Sequence, residues 1–361
     1  MKSPPPADPR TELRALLRWA LADKVSGRRL REAVLEVGSA RALGEGGHSA
    51  LRGRTPRSLG EVEEVLRQCH AAGVRPVPWF DPAYPSDLLQ LREPPPVLYL
   101  RGTLPDPDRT AVAVVGSRRA GGYGRRVARE LSREAARHGV VVVSGLALGI
   151  DGEAHAGALE AEGTTVAVLG GGVERARPSA HRRLYREILN RGGAVVGEWP
   201  PGTPARAFHF PRRNRILAAL ARLVVVIEAG ARSGALSTAA HARRLGRDVA
   251  AVPGPIDQPG HRGSNELIRD GAGAILEVDD LLDLAGVVGA LAAQPAREPQ
   301  LTGDTAPVWR SLHEGPASVE HVAERAGLPV ARVLRALTRL EVDGWVRRDR
   351  GLHTRAAGPL A

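Results

Sequence analysis

Apolar residues follow two different rhythms along this chain, and the change between them predicts its architecture. After a proline-rich start over residues 1–10, the stretch 11–72 carries apolar positions at helical spacing with polar breaks. The pattern predicts helices over Thr11–Ala22, Gly27–Val37 and Leu59–Ala72, the last with Leu59, Val62, Val65 and Leu66 on one face. A small helical domain over residues 1–75 follows from this. Residues 76–110 are punctuated by Pro76, Pro78, Pro82, Pro85, Pro94, Pro95 and Pro96, which fits an ordered connector or an extra edge strand and not a helix. From residue 111 the rhythm changes. Short β-branched runs at Ala111–Val115, Val140–Val143, Thr164–Leu169, Ala194–Val196, Leu223–Ile227, Val249–Val252 and Ala274–Leu276 alternate with helical stretches near 123–138, 152–161, 179–191, 211–221, 234–245 and 264–270. Strands that are apolar on both sides, separated by helices, predict a parallel sheet with both faces covered. The expected fold is α/β, a Rossmann-like doubly wound domain over 76–290.

A softer Ala/Gly/Pro stretch over 291–305 reads as a linker. Residues 306–361 then form a third unit. Val308–His313 begins a helix, Ser318 caps Val319–Ala326, Gly327-Leu328-Pro329 turns, and Val330–Asp343 is a longer helix. The segment WVRRDRGLHTRA after Gly344 reads as a small hairpin. Helix, helix–turn–helix and hairpin in this order predict a winged-helix-like domain. Arg332, Arg335 and Arg339 share one face of its long helix, a candidate secondary contact for duplex DNA or protein. A solvated face explains the same spacing.

Composition adds a partner class. The chain has 361 residues, 43% hydrophobic and 25% charged, enough for two or three domains with real cores. Lys and Arg number 51 against 40 acids, a net charge of +11, and only Lys2 and Lys24 are lysines. Such an excess suits a polyanion, most often nucleic acid, although a chain rich in Arg, Ala, Gly and Pro throughout reaches the same total by compositional bias. The excess is +5 over residues 1–75, +4 over 76–290 and +2 over 291–361, so counting assigns it to no one domain. A single cysteine, Cys69, excludes a disulfide framework and a cysteine-ligated zinc site. No apolar run approaches the roughly 20 residues that span a bilayer. With no signal-peptide core in MKSPPPADPRTELR, the expected setting is a reducing cytoplasm, without membrane attachment.

Ligands of doubly wound sheets sit at the carboxyl ends of the strands, and the loops there carry the unusual residues. Gly116-Ser117-Arg118-Arg119-Ala120-Gly121-Gly122-Tyr123-Gly124 leads from a strand into a helix, where small residues, free N–H groups and guanidiniums suit a phosphate. It is neither a P-loop, since Gly122 stands where a lysine is needed, nor a dinucleotide fingerprint. Neither ATP nor NAD is expected. Asp151 and His155 are four apart after Ser144–Ile150. They read as an acid–base or metal pair, or as a helix cap and a histidine oriented by it; without a third ligand of recognisable spacing the structural alternative is favoured. Gly170-Gly171-Gly172 allows either close approach of a ligand or a tight turn.

The strongest segment is Phe208-His209-Phe210-Pro211-Arg212-Arg213-Asn214-Arg215, preceded by Arg206. Two of the three phenylalanines of the chain fall within three positions, beside arginines at a helix start. Cations for phosphates beside rings for bases are the parts of a single-strand site. A ring pair filling the sheet edge under a solvated basic face is the alternative. In Glu228–Thr238, Glu228 is expected to orient Arg232, Ser233 to cap the next helix, and Arg232 to face the ligand edge.

Several of these segments together resemble the DNA processing protein A (DprA, or Smf) family: GSR at 116–118, SGLALGID at 144–151, HAGAL at 155–159, FPRRNRI at 210–216, EAGARSGALSTA at 228–239, AVPG at 251–254 and GSNELIRDGA at 263–272. They occur in the family's order over about 111–276. The helical start resembles the family's sterile-alpha-motif-like domain, and the end its winged-helix-like domain. The resemblance implies a non-enzymatic, cofactor-free and metal-free protein that binds single-stranded DNA, protects incoming strands in natural transformation and loads a RecA-type recombinase for homologous recombination, acting as a homodimer. Carried over by position, the family's DNA-binding residues match Arg118, Arg212, Arg213, Asn214 and Arg215, and the reading of the loops adds Gly116, Ser117, Arg206, Phe208, Phe210 and Arg232 to the expected DNA-binding set. The chain departs from the family's third-strand loop, where Glu174, Arg177 and His181 replace Asp, Tyr and Asn, and Leu148 stands where arginine is common. Two rival functions remain: a nucleotide-monophosphate hydrolase on the same scaffold, although no PGG-x-GT-type loop is present, and a regulator binding duplex DNA through residues 306–361.

Overall fold

The computed structural model describes residues 6, 8–44, 48–287, 301–315, 317–349 and 351–355. They divide into two units, Met1–Val288 and Gly289–Ala361. The first begins with helices α1 (Pro9–Ala20), α2 (Gly27–Val37) and α3 (Leu59–Ala71). Their starts are written in the sequence: Asp8 accepts from the N–H of Arg10 and Thr11, Ser26 caps α2, and Ser58 with Glu61 forms a capping box on α3. Strands β1 (Arg75–Pro78) and β2 (Val97–Gly102) follow, then β3 (Ala111–Val115), α4 (Gly122–Arg137), β4 (Val141–Ser144), α5 (Ile150–Glu160), β5 (Thr165–Gly172), α6 (Arg182–Asn190) and β6 (Ala194–Trp199). The unit continues with α7 (His209–Ala219), β7 (Leu223–Val226), α8 (Ala235–Arg244), β8 (Asp248–Ala251), α9 (Arg262–Arg269), β9 (Gly273–Ala274) and α10 (Val278–Leu284).

The nine strands form one sheet in the order β1-β2-β6-β5-β4-β3-β7-β8-β9. From β6 to β9 every pairing is parallel, as the doubly apolar strands predict. The proline-rich connector supplies β1 and β2, antiparallel to each other and, through β2, to β6. Alternation within β3 shows how both faces are filled. Val112 and Val114 join Ala128, Leu131, Ile150 and Leu281 in one apolar cluster, while Ala113 and Val115 face Ile216, Leu217 and Ala239 in the other. That second cluster also holds Leu16, Leu17, Trp19 and Leu30. The helical start and the sheet therefore share a continuous core, and the boundary expected near residue 75 is no break in packing.

The second unit comprises α11 (Thr305–Ser311), α12 (Val319–Ala326), α13 (Val330–Val342) and the hairpin β10 (Val346–Asp349) with β11 (Leu352–Arg355). Val308, Leu312, Val322, Val333, Leu337 and Leu340 form its core. This is the helix, helix–turn–helix and wing arrangement expected from the sequence. Ser318 caps α12, and Gly327 ends it at a φ of 64° that suits glycine. Of the linker expected over 291–305, residues 291–300 lie outside the described residues.

Candidate nucleic-acid interface

The chain runs outward from β3 to β6 and then returns to the other side of β3 as β7. Doubly wound sheets open a crevice at such a reversal, outside the carboxyl ends of the strands. A cleft of about 390 Å³ lies there, with Gly116 and Arg118 from the loop after β3, Ala147 from the loop after β4, Asp151 from the first turn of α5, Phe210, Arg213 and Asn214 from α7, and Ser233 and Gly234 from the loop after β7. Residues far apart in sequence thus meet at the one edge the topology leaves open.

The rim is cationic and aromatic. Arg118 is exposed, and its guanidinium carbon lies 4.4 Å from the centre of the Phe210 ring. Arg206, Arg212 and Arg232 are exposed as well. Phe208 is 63% exposed, an unusual placement for so large an apolar ring, while Phe210 is half-buried beneath Arg118. A base therefore has one freely accessible ring, that of Phe208, which meets His209 edge-on at 4.5 Å. His209 is itself buried between Trp199, stacked at 4.2 Å, and the Gly170 carbonyl, 3.0 Å from its Nδ1.

The floor corrects three expectations for the same helix. Arg213, Asn214 and Arg215 are buried, so they do not present donors to an approaching strand as predicted. Arg213 donates through Nη1 to the Gly145 carbonyl (2.9 Å) and to that of Val168. Gly145 is required for this, because a Cβ there would lie 2.4 Å from the guanidinium. Burial lowers the Arg213 pKa to about 10, with Asp151 opposing the shift. Asn214 donates to the Gly234 carbonyl (3.1 Å) and Ser237 Oγ (2.7 Å). Arg215 donates to Glu198 Oε1 at 2.6 Å, and burial depresses its pKa despite that partner. Glu198 also receives both forks of Arg212, at 3.1 and 2.8 Å. This acid, which sequence reasoning missed, holds one arginine inside and steers another outward; nothing in Glu198-Trp199 on its own signals it.

The glycine-rich loop after β3 is corrected too. An anion does sit where it enters α4, but it belongs to the protein: both oxygens of buried Glu228 accept from the Gly121 N–H, at 3.3 and 3.1 Å. Gly124 leaves room for it, since a Cβ there would be 2.4 Å from Glu228 Oε2. Glu228 therefore does not orient Arg232; its other ionisable neighbour is His261, 3.9 Å away. Gly116 packs against Ile150, and the Ser117 hydroxyl accepts from the Arg119 N–H within the loop (3.1 Å), so both shape the loop that carries Arg118. Ser233 does not cap α8 as expected: Gly234 holds the N-cap position without a side-chain cap, and the Ser233 hydroxyl one residue earlier accepts from the Ala235 N–H at 3.3 Å.

Asp151 and His155 do not pair. Asp151 accepts from the Ala147 N–H at 3.4 Å, and burial raises its carboxyl pKa. His155 meets Thr165 Oγ1 at 2.7 Å instead. The Thr165 hydroxyl spends its only proton on the Val142 carbonyl (2.7 Å), so His155 Nδ1–H must be the donor. Its Nε2 is buried without a partner, and burial lowers the pKa to about 3. Among the described residues no group of three or more His, Cys, Asp or Glu side chains is arranged to hold a metal ion. Gly170, Gly171 and Gly172 admit close approach, and what approaches is the chain itself: Phe210, Ala205 and Gly202. The departing residue His181 donates Nδ1–H to the Leu146 carbonyl at 2.9 Å, tying the loop after β5 to that after β4. On α13, Arg332, Arg335 and Arg339 share an exposed face, with Arg332 paired to Asp304 at 2.7 Å.

A Rossmann-like sheet with a basic, aromatic-rimmed cleft at its strand reversal, joined to a winged-helix unit, defines the class. The family model for DNA recombination-mediator protein A matches residues 75–286, and that for the DprA winged helix domain matches 292–351. The chain belongs to this DprA family of DNA-processing proteins. It is 40% identical over 270 residues to protein Smf of Escherichia coli, covering 73% of this chain and 72% of that one. Among solved structures, DNA processing protein A from Streptococcus pneumoniae matches at a TM-score of 0.59 with 32% identity, over 74% of this chain and 95% of that one. The Helicobacter pylori protein, whose structure concerns single-stranded DNA binding, matches at 0.52 with 26% identity over 58% and 94%. No helix among the described residues is long and apolar enough to cross a membrane.

Proposed function

We propose that this chain binds single-stranded DNA at the cleft on the strand-end edge of its sheet. The observation that carries the reading is the cleft wall of Arg118 over Phe210, flanked in the chain by exposed Arg206 and Phe208 on either side of the lining residue Ala207, by Arg212 after Pro211, and by Arg232 before Ser233. Guanidiniums neutralise phosphates, and a free ring stacks on a base for roughly 1–3 kcal/mol. The same donors contact every nucleotide alike, so little sequence preference is expected. The reading draws support from the H. pylori relative. The finer role follows from the family: protection of incoming strands in natural transformation, delivery of a RecA-type recombinase, a homodimer in the cytoplasm, and binding rather than catalysis. Within it the C-terminal unit is an auxiliary contact, for duplex DNA or for protein, through Arg332, Arg335 and Arg339.

The test is fluorescence anisotropy of labelled oligo-dT and of a duplex of equal length at two salt concentrations. Tight, strongly salt-weakened binding of the single strand supports the reading. Indifference to salt, or preference for the duplex, refutes it. Release of free base from nucleoside monophosphates would favour the hydrolase instead.

A further inference from the structure

A second basic cleft lies along α6, in the same unit but away from the first. It encloses about 1030 Å³ and is lined by five arginines, Arg101, Arg175, Arg177, Arg182 and Arg186, against one acid, Glu174. Glu174 is already engaged, by Arg175 Nε at 3.0 Å and the Gly202 N–H at 3.3 Å. The other four arginines have no carboxylate within ion-pair distance among the described residues. Arg101 is fixed in the wall by the Glu174 carbonyl (2.9 Å) and the Tyr185 hydroxyl (3.0 Å). Arg177, Arg182 and Arg186 are exposed.

The protein provides its own control. Arg183, one residue further along the same helix, does not line the cleft and is paired with Glu187 at 2.8 Å. Arg182 and Arg186, four apart and so on one helical face, line the cleft unpaired. On α4, Arg129 is neutralised by Glu153 and Glu160 and Arg137 by Glu134, whereas the exposed Arg125 and Arg126 rest on the Ala120 carbonyl and the Tyr123 ring. Unpaired like charges lining a concave wall repel one another and raise the local concentration of anions. Guanidiniums in that number match phosphate groups.

The two clefts are joined by one segment. Gly170 packs against Phe210 at the first, and Glu174, Arg175 and Arg177, four to seven residues on, wall the second. We propose that the α6 cleft takes phosphate groups, namely the phosphodiester backbone of the single strand as it leaves the first cleft. This rests on the single-strand reading of that first cleft.

The test uses the full chain carrying Arg177→Ala and Arg182→Ala, with oligo-dT of about 6 and about 30 nucleotides, short and long against the usual site sizes of about 4–16. The short oligonucleotide should bind as it does to the unaltered protein. For the long one the salt slope should fall by about 1.4, two phosphates at about 0.7 each. The affinity lost between about 50 and 200 mM salt should thus shrink about 7-fold. An unchanged slope for the long oligonucleotide overturns the inference while leaving the first cleft intact. Absence of binding by the unaltered protein to either length overturns the single-strand reading and this inference together. Titration with inorganic triphosphate, without DNA, separates the sources: binding that the double variant loses, with DNA affinity unmoved, would assign the cleft to a free polyphosphate and overturn the strand path.

Discussion

Arg118→Ala and Arg213→Ala should fail in opposite ways, although both remove an arginine lining the same cleft. Arg118 is exposed and rests on Phe210 at 4.4 Å. Its loss takes away a phosphate contact and leaves no buried group without a partner. Among the described residues, the exposed Arg118, Arg206 and Arg232 are paired by no carboxylate, whereas Arg212 is held by Glu198. With each of those three neutralising one phosphate, the slope of log affinity against log salt is about −2.1. Affinity then falls about 18-fold between about 50 and 200 mM salt. Arg118→Ala should reduce the slope to about −1.4, with the unfolding midpoint unmoved. Arg213 is 4% exposed and donates to the carbonyls of Gly145 and Val168. Its removal strips donors from two buried acceptors, at roughly 1–3 kcal/mol each, part of which is regained because a desolvated cation disappears. A net loss of about 3 kcal/mol is expected in urea unfolding, with the salt slope of the remaining folded protein near that of the parent. Anisotropy titrations at several salt concentrations and urea melts of both variants decide the matter. If Arg213→Ala changed the slope as much as Arg118→Ala without lowering stability, the division into outward and inward arginines would be wrong.

Other outcomes follow from the same geometry. Glu198→Ala leaves Arg215, 7% exposed at its side chain, as a buried cation without its carboxylate, and should cost about 3–5 kcal/mol in urea unfolding. Gly116→Ala drives a Cβ to 2.5 Å from Ile150, so a stability loss of about 1–3 kcal/mol is expected, together with weaker binding through the displaced Arg118 loop. Phe208→Ala should weaken oligo-dT binding by roughly 1–3 kcal/mol without lowering the melting temperature, since the ring is 63% exposed. His155 is held neutral in the fold down to about pH 3, whereas its ordinary value is 6.5. The unfolded chain therefore binds an extra proton between those values, and stability should fall with acidification by about 1.4 kcal/mol per pH unit across that window. His155→Gln should flatten this part of the pH–stability curve.

The parallel sheet was legible because strands buried on both faces have to be apolar nearly throughout: β3 and β7 are so at every position, and β4 departs only at Ser144, whose hydroxyl donates to the Val114 carbonyl. The edge was harder to read. Pro76 and Pro78 in the edge strand β1, and Pro94, Pro95 and Pro96 just before β2, suppress the strand signal where an edge tolerates them. The short α10 hides Leu281 and Leu282 among Asp279, Asp280 and Asp283. The arginines of α7 were unreadable for another reason. Outward and inward residues can be told apart on a helix with one apolar stripe, but α7 is buried from Arg213 to Ala219 and has no solvent face there. Whether an arginine is inside such a helix depends on acceptors elsewhere, at Gly145, Val168 and Glu198.

The fate of the loop after β3 bears on how DNA would be held. Its glycines suggested backbone amides gathered for a phosphate, yet a protein carboxylate occupies the entrance to α4, with Glu228 on the Gly121 N–H. A negative charge at that point opposes a second anion on the helix axis, so the loop's contribution passes to the Arg118 side chain at its tip. Affinity built on side-chain cations and an exposed ring, rather than on a fixed amide cradle, has two consequences. It varies steeply with salt, because each contact displaces counterions, and it tolerates any base, because neither guanidinium nor ring reads a base edge. On the proposed reading, indifference to base is the property that strands of arbitrary sequence require, and the salt dependence is the consequence of reaching it through side-chain cations.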